Sequence, residues 1–207
     1  MPTVVAQNIS IVTADVPALT TLSPLNAAVS VSPTANLVIS FSKSVTVGTG
    51  NILIQKSSDD STVATIDVTG ELLSGSGTNT ITINPAESLP EGTEVYVTVP
   101  NTAFKDNADN FFAGITNDST WVFTTSDVTA PSITNLASTV ATTTADISWT
   151  TSELASTRLW YSADESYSTS TSETNTGTRV TSHTVSLIGL PSCTLYNYKA
   201  VSRDATG

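Results

Sequence analysis

The chain has 207 residues, enough for one large domain or two small ones, and seven Lys and Arg face eighteen Asp and Glu, a formal net charge of −11. That balance repels phosphate backbones and anionic lipid, and no apolar run reaches the length of a membrane span, so nucleic acid and direct membrane insertion are excluded as expectations. Ser and Thr supply about a third of the residues and charged residues only 12%; Thr, Val and Ile suit a pleated, half-buried surface, so an all-β chain is expected.

The first predicted element is Thr3–Thr13, with Val4, Val5, Ile9 and Ile11 as its apolar positions. It precedes a junction, Asp15-Val16-Pro17, whose counterpart returns as Asp127-Val128-Thr129-Ala130-Pro131. Proline stiffens a chain and donates no ladder hydrogen bond, so both stretches read as hinges at which one sandwich ends and another begins. The boundaries are therefore 1–14 as a strand of a preceding module or a donor strand, 15–126 as a first sandwich, 127–130 as a linker and 131–207 as a second sandwich. The segment after Met1 lacks a basic region followed by an apolar one, so no signal peptide is expected within this chain.

Between the junctions, short alternating runs are separated by Gly, Asn, Asp, Ser and Pro. Period-two spacing places Leu37, Ile39 and Phe41 on one face, then Ile52 and Ile54, Ile66 and Val68, Ile81 and Ile83, Val95, Val97 and Val99, and finally Trp121 and Phe123. These residues are the predicted core between two sheets. Leu22-Ser23-Pro24 before Asn26-Ala27-Ala28-Val29, Leu37–Phe41 followed by Ser42-Lys43-Ser44-Val45, Asn84–Thr93, Phe104–Asn110 and Trp121–Thr125 together resemble the SbsA-type bacterial Ig-like domain of cell-envelope proteins. Val95, where that family often has an aromatic residue, and Asp109, where it usually has glycine, depart from the pattern.

After Pro131 the chain resembles a fibronectin type III domain. Ala145–Glu153 is similar to its second strand, with Ile147 and Trp149 inward, and Thr157–Tyr161 is similar to its third. Thr181–Leu190 and Thr194–Asp204 carry the rest of the match. The resemblance implies that Tyr196 is the corner tyrosine whose hydroxyl bonds to upstream backbone, with Tyr198 and Ala200 following it inward. Together the two resemblances imply tandem antiparallel β-sandwiches. Such a domain has seven strands, and this one stops where the seventh would begin; residues 3–13 are a strand without a domain. The simplest explanation is an array in which such pairs recur, this chain being offset by one strand; the sharper alternative is that Val4, Val5, Ile9 and Ile11 form a donor strand for the open second domain of another copy.

Several clusters invite a chemical reading. Asp106, Asn107, Asp109 and Asn110, with Asp118, place oxygen ligands close enough for calcium, although Asp and Asn also build turns by bonding their own backbone. Asp15 and Asp127 are weaker junctional candidates for the same ion. No other cofactor is expected. The sole histidine, His183, lies in a strand-like Ser-His-Thr-Val segment with no nucleophile elbow, and is expected to be structural. Glu87, Glu91 and Glu94 read as solvated charges rather than a hydrolytic pair. Tyr96 and Trp160 point away from their cores by alternation, as sugar- or protein-contacting aromatics do. Cys193, the one cysteine, cannot form an intrachain disulfide and is expected to be a small, partly buried thiol. Asn8-Ile9-Ser10 and Asn117-Asp118-Ser119 fit the N-glycosylation pattern, and the Ser/Thr-rich stretch 166–178 suits O-glycans.

The expected function is a non-enzymatic structural or assembly segment of a prokaryotic extracellular surface protein, in a surface layer, adhesin or fibre. Its expected partners are other copies or neighbouring modules, and glycans. The alternative is a carbohydrate- or protein-binding accessory module of a secreted hydrolase. Glycan binding that is lost on Trp160→Ala favours the second.

Overall fold

A computed structural model describes residues 15–206; the expected donor strand with Val4, Val5, Ile9 and Ile11 lies outside them. All elements in the described residues are strands, and the chain divides after Asp127 into two compact units.

The first unit holds β1 (Leu19–Ser23), β2 (Ala28–Val31), β3 (Leu37–Val47), β4 (Asn51–Lys56) and β5 (Thr62–Asp67). It continues with β6 (Leu73–Ser74), β7 (Thr78–Ile83), β8 (Glu94–Thr98), β9 (Phe104–Lys105) and β10 (Val122–Thr125). One sheet has the order β1-β3-β7-β6, with β9 also on β3; the other runs β2-β10-β8-β4-β5. Pairing is antiparallel except where β10 lies parallel to β2.

Every face that alternation assigned inward is inward. Leu37, Ile39, Phe41, Ile52, Ile54, Ile66, Val68, Ile81, Ile83, Val95, Val97, Val99, Trp121 and Phe123 belong to one buried cluster. Side chains on successive strand residues alternate across a sheet, so two sheets that each cover one face enforce this separation. Phe41 meets Phe104 at 5.4 Å and Phe112 edge-on at 5.2 Å, separations favoured by the ring quadrupoles. The turn before β7 depends on Gly75, at φ +98°, where a Cβ would stand 2.1 Å from the Thr80 carbonyl oxygen.

The second unit holds β11 (Ile133–Val140), β12 (Thr144–Ala155), β13 (Arg158–Ser162), β14 (Thr169–Ser170), β15 (Val180–Ile188) and β16 (Asn197–Val201). They form two three-stranded sheets, β11-β12-β15 and β14-β13-β16. Ile147, Trp149, Leu159 and Leu187 are its buried core, with Tyr161, Tyr198 and Ala200 packed beside them. This core is much smaller than that of the first unit. Among the described residues β16 pairs only with β13, and its other edge has no strand partner among them.

Two expectations for the second unit are corrected. Cys193 is exposed rather than partly buried, on a loop whose backbone turns left-handed at Gly189 (φ +71°) and at Cys193 (φ +57°). Tyr196 makes no corner hydrogen bond among the described residues; its ring leans on Tyr161 at 6.2 Å. The loop ahead of it stands off the core, with Leu195 79% exposed, so no backbone carbonyl is brought over the phenol.

Candidate functional site

The open edge of β16 borders a cleft between the two sheets of the second unit. The cleft has a volume of about 550 Å³, with Val140, Ala145, Ile147, Leu187 and Tyr198 in its walls. Val140 on β11 and Leu195 beside the cleft are three-quarters or more exposed. An unpaired strand edge over an apolar cleft offers backbone hydrogen bonds and side-chain pockets together, as β-strand addition requires.

A second feature occupies the opposite face of the same sheet. Leu159 and Tyr161 point inward on β13, so Arg158 and Trp160 point outward. On the neighbouring strands Trp160 is paired across to Lys199 and to Ser170. The Arg158 guanidinium carbon lies 4.7 Å from the centre of the Trp160 ring; the Lys199 ammonium lies 5.8 Å from that ring and 4.9 Å from the Tyr167 ring. Cation, ring, cation and ring thus follow one another, and the ring quadrupoles hold both cations. Sequence reading had singled out Trp160 alone.

Tyr96, the other outward aromatic, is covered. It is 7% exposed and its hydroxyl donates to Asp60 Oδ1 at 3.0 Å, so the ring has no open face for a ligand. Burial, then that bond and the Asp60 charge, push its phenol pKa up. The β4–β5 turn that supplies Asp60 folds over the outer face of β8.

In the loop 106–110, Asp106 and Asp109 turn carboxylate oxygens to the loop's own backbone and to lysines. Asp106 Oδ1 accepts from the Ala108 N–H at 2.8 Å and the Asn110 N–H at 3.0 Å, and Asp106 Oδ2 lies 3.6 Å from Lys43 Nζ. The Asn110 amide, above all, holds the Asp106 carboxyl below the usual range. Asp109 Oδ1 receives Lys105 Nζ at 2.6 Å. Asp15 is drawn to Lys43 at 2.7 Å, within the same unit, and that contact raises the lysine pKa. Asn117 accepts the Ser119 and Thr120 N–H groups, closing a turn before β10. Glu87, Glu91 and Glu94 are exposed. Sequence reading passed over Glu153 and Asp204, whose carboxylate oxygens lie within 4.8 Å of each other although the residues are far apart in the chain. Asp204 also accepts from the Thr206 N–H at 2.7 Å.

His183 is 1% exposed and stacks on Trp149 at 5.2 Å. Thr151 donates its hydroxyl proton to the Glu153 carbonyl at 2.7 Å, so its oxygen accepts from His183 Nε2–H at 2.9 Å. Nδ1 then accepts from the Thr157 hydroxyl at 2.7 Å. The ring is a neutral strut between two buried threonines. Burial lowers its pKa below the ordinary 6.5. A proton therefore binds the unfolded chain before the folded one as pH falls. The contribution of this group to stability is complete above pH 6.5 and declines as pH drops below that value toward the folded pKa. The resistance of the second unit to urea is expected to weaken from pH 7 to pH 5, by at most about 1.4 kcal/mol per pH unit. His183→Gln should flatten this slope; an equal slope in that variant assigns the effect elsewhere.

No helix in the described residues is long and apolar enough to cross a membrane, which leaves β-barrel insertion untouched. Residues 13–125 match the family described as bacterial Ig-like domain. No curated protein matches the chain. Among solved structures, dimeric latent PorU from Porphyromonas gingivalis is similar at 13% identity and a TM-score of 0.31, over 95% of this chain and 20% of that one. The chain thus spans a fifth of the length of that protein.

Proposed function

Because the chain belongs to the bacterial Ig-like domain family through residues 13–125, we propose that it is a non-catalytic structural segment of a bacterial extracellular surface protein, joined head to tail by strand donation. Bacterial Ig-like domains serve generally as accessory modules of extracellular or surface proteins, which supports the location and the absence of catalysis. In this reading the first unit is of the SbsA type and the second is a fibronectin type III-like domain whose β16 edge can accept a further strand. The supporting observation is the unpaired edge of β16 over its apolar cleft. Residues 3–13 of a second copy add to that edge. Val5, Ile9 and Ile11 are an even number of residues apart, so they share one face of an extended strand and turn together into the cleft.

Sedimentation velocity of the 207-residue chain tests this. The chain is expected to form concentration-dependent oligomers, and deletion of residues 2–14 or the pair Ile9→Asp and Ile11→Asp to yield monomers. A synthetic peptide of residues 3–13 added to the deleted chain should slow maleimide labelling of Cys193, which lies in the cleft wall. A full-length chain that stays monomeric at every concentration, or oligomers that survive the deletion, would sink strand donation.

A second reading, a binding accessory module, is favoured by the cation–aromatic array around Trp160. The array is on the outward face of the β14-β13-β16 sheet, so strand donation into the cleft leaves it free.

A further inference from the structure

We infer that the outer face of the β14-β13-β16 sheet is a binding site for a carboxylated polysaccharide, formed by Arg158, Trp160, Tyr167 and Lys199. The first support is charge. Only seven residues of a chain with a net charge of −11 are basic, and two of them meet on this one face. Lys43 is paired with Asp15 and Asp106, and Lys105 with Asp109. Among the described residues neither Arg158 nor Lys199 is paired with a carboxylate. Their charge is held in place by rings and remains uncompensated, and an anion is its natural complement.

The second support is the donor inventory. Arg158 Nη2 donates to Ser170 Oγ at 3.0 Å, which fixes the plane of the guanidinium, while its Nε is buried with no hydrogen-bond partner. One Nη2 hydrogen is thus anchored and the buried Nε is out of reach of a ligand, which leaves the Nη1 hydrogens and the second Nη2 hydrogen for a bidentate acceptor such as a carboxylate. Lys199 is exposed and contributes a second point charge across the strand pair.

The rings choose between kinds of anion. Trp160 and Tyr167 are half-buried and outward, and their exposed apolar surfaces suit the C–H faces of a sugar, which an acidic peptide lacks. A sugar acid satisfies both halves of the array, carboxylate on the cations and ring face on the aromatics. This inference rests on the second reading above and is independent of strand donation.

The test titrates the full chain with polygalacturonate, neutral dextran and polyglutamate at low and at 0.5 M salt. Polygalacturonate is expected to bind, dextran not to bind, and polyglutamate to bind at least tenfold more weakly; added salt should weaken the polygalacturonate complex. Lys199→Ala, at an exposed position, is expected to keep the thermal transition and lose tenfold or more in affinity. Trp160→Leu keeps an apolar side chain between Ser170 and Lys199 and should lose a similar factor, whereas Lys56→Ala, an equal charge change in the first unit, should lose none. Equal binding of polyglutamate would overturn the inference in favour of an acidic protein partner. Absence of polygalacturonate binding, or undiminished affinity in Lys199→Ala, would overturn it outright. Carrying Ile9→Asp and Ile11→Asp through the same titration separates the two ideas, since those changes should abolish oligomers and leave polysaccharide binding in place.

Discussion

Replacement of Trp149 by alanine is expected to unfold residues 128–206 while leaving residues 15–127 folded. Trp149 is 1% exposed, donates its indole N–H to Ser202 Oγ at 2.9 Å and covers one face of His183. Truncating a buried tryptophan costs about 3–5 kcal/mol in lost transfer energy and cavity, and here it also strips a partner from Ser202 and the stack from a buried imidazole. An 80-residue unit has roughly 4–12 kcal/mol of stability at ordinary values per residue. With Ile147, Leu159 and Leu187 as the other members of its buried apolar cluster among the described residues and a cleft open to solvent, this unit belongs at the low end of that range. The loss therefore equals the reserve. Hydrogen exchange read by mass spectrometry should show the amides of β12 and β15 exchanging as in a denatured chain, with β3, β7 and β8 still protected. Protection of β12 and β15 close to that of the unmodified protein would contradict the small-core argument. Strand donation predicts a further dependence: at high protein concentration the bound strand stabilises the folded unit by mass action and should restore part of the protection.

The inward faces of the first unit were legible because a sheet with one buried face imposes a strict period of two. Leu37, Ile39 and Phe41 announce themselves without knowledge of what covers them. The same rule assigned Tyr96 to the outer face correctly but could not reveal that the turn carrying Asp60, 36 residues away, closes over it. Alternation identifies a face and is silent about what lies upon it.

The acidic loop shows a related limit. Asp106 is visible in the sequence as one of a run of oxygen-bearing side chains, and its partners are not, because Lys43 arrives from another strand. The cation–aromatic array was legible by a quarter: Trp160 stood out by type and by phase. Lys199 joins it only through the register that sets Trp160 opposite Lys199, a pairing between strands separated by the whole of β14 and β15. Arg158 was in view two residues away, and nothing local distinguished it from a solvated charge. The register of non-adjacent strands is long-range information, which a pass along the chain does not contain.

Trp121→Ala, the same chemical change in the first unit, should weaken that unit without unfolding it. Trp121 is fully buried and donates its indole N–H to the Pro24 carbonyl at 2.9 Å. It lies at the head of β10, where the Val122 N–H donates to Asn26 Oδ1 at 2.9 Å, Asn26 Nδ2 donates to the Ser119 carbonyl at 3.0 Å and the Ala27 N–H donates to the Val122 carbonyl at 2.7 Å. These bonds tie a loop near the start of the unit to its last strand and support the parallel pairing of β2 with β10. The loss is again about 3–5 kcal/mol, but it falls on a core that still includes Phe41, Phe104, Phe112 and Phe123 among its buried members. At roughly 4 °C per kcal/mol for a domain near this size, the transition of the first unit should drop by about 12–20 °C. Trp121→Phe keeps most of the packing and removes only the bond to Pro24, so its transition should fall by a third of that or less. Calorimetry of both variants decides the matter: equal shifts for the two would locate the role of Trp121 in its hydrogen bond, and a shift of only a few degrees in Trp121→Ala would show that the core collapses around the missing ring.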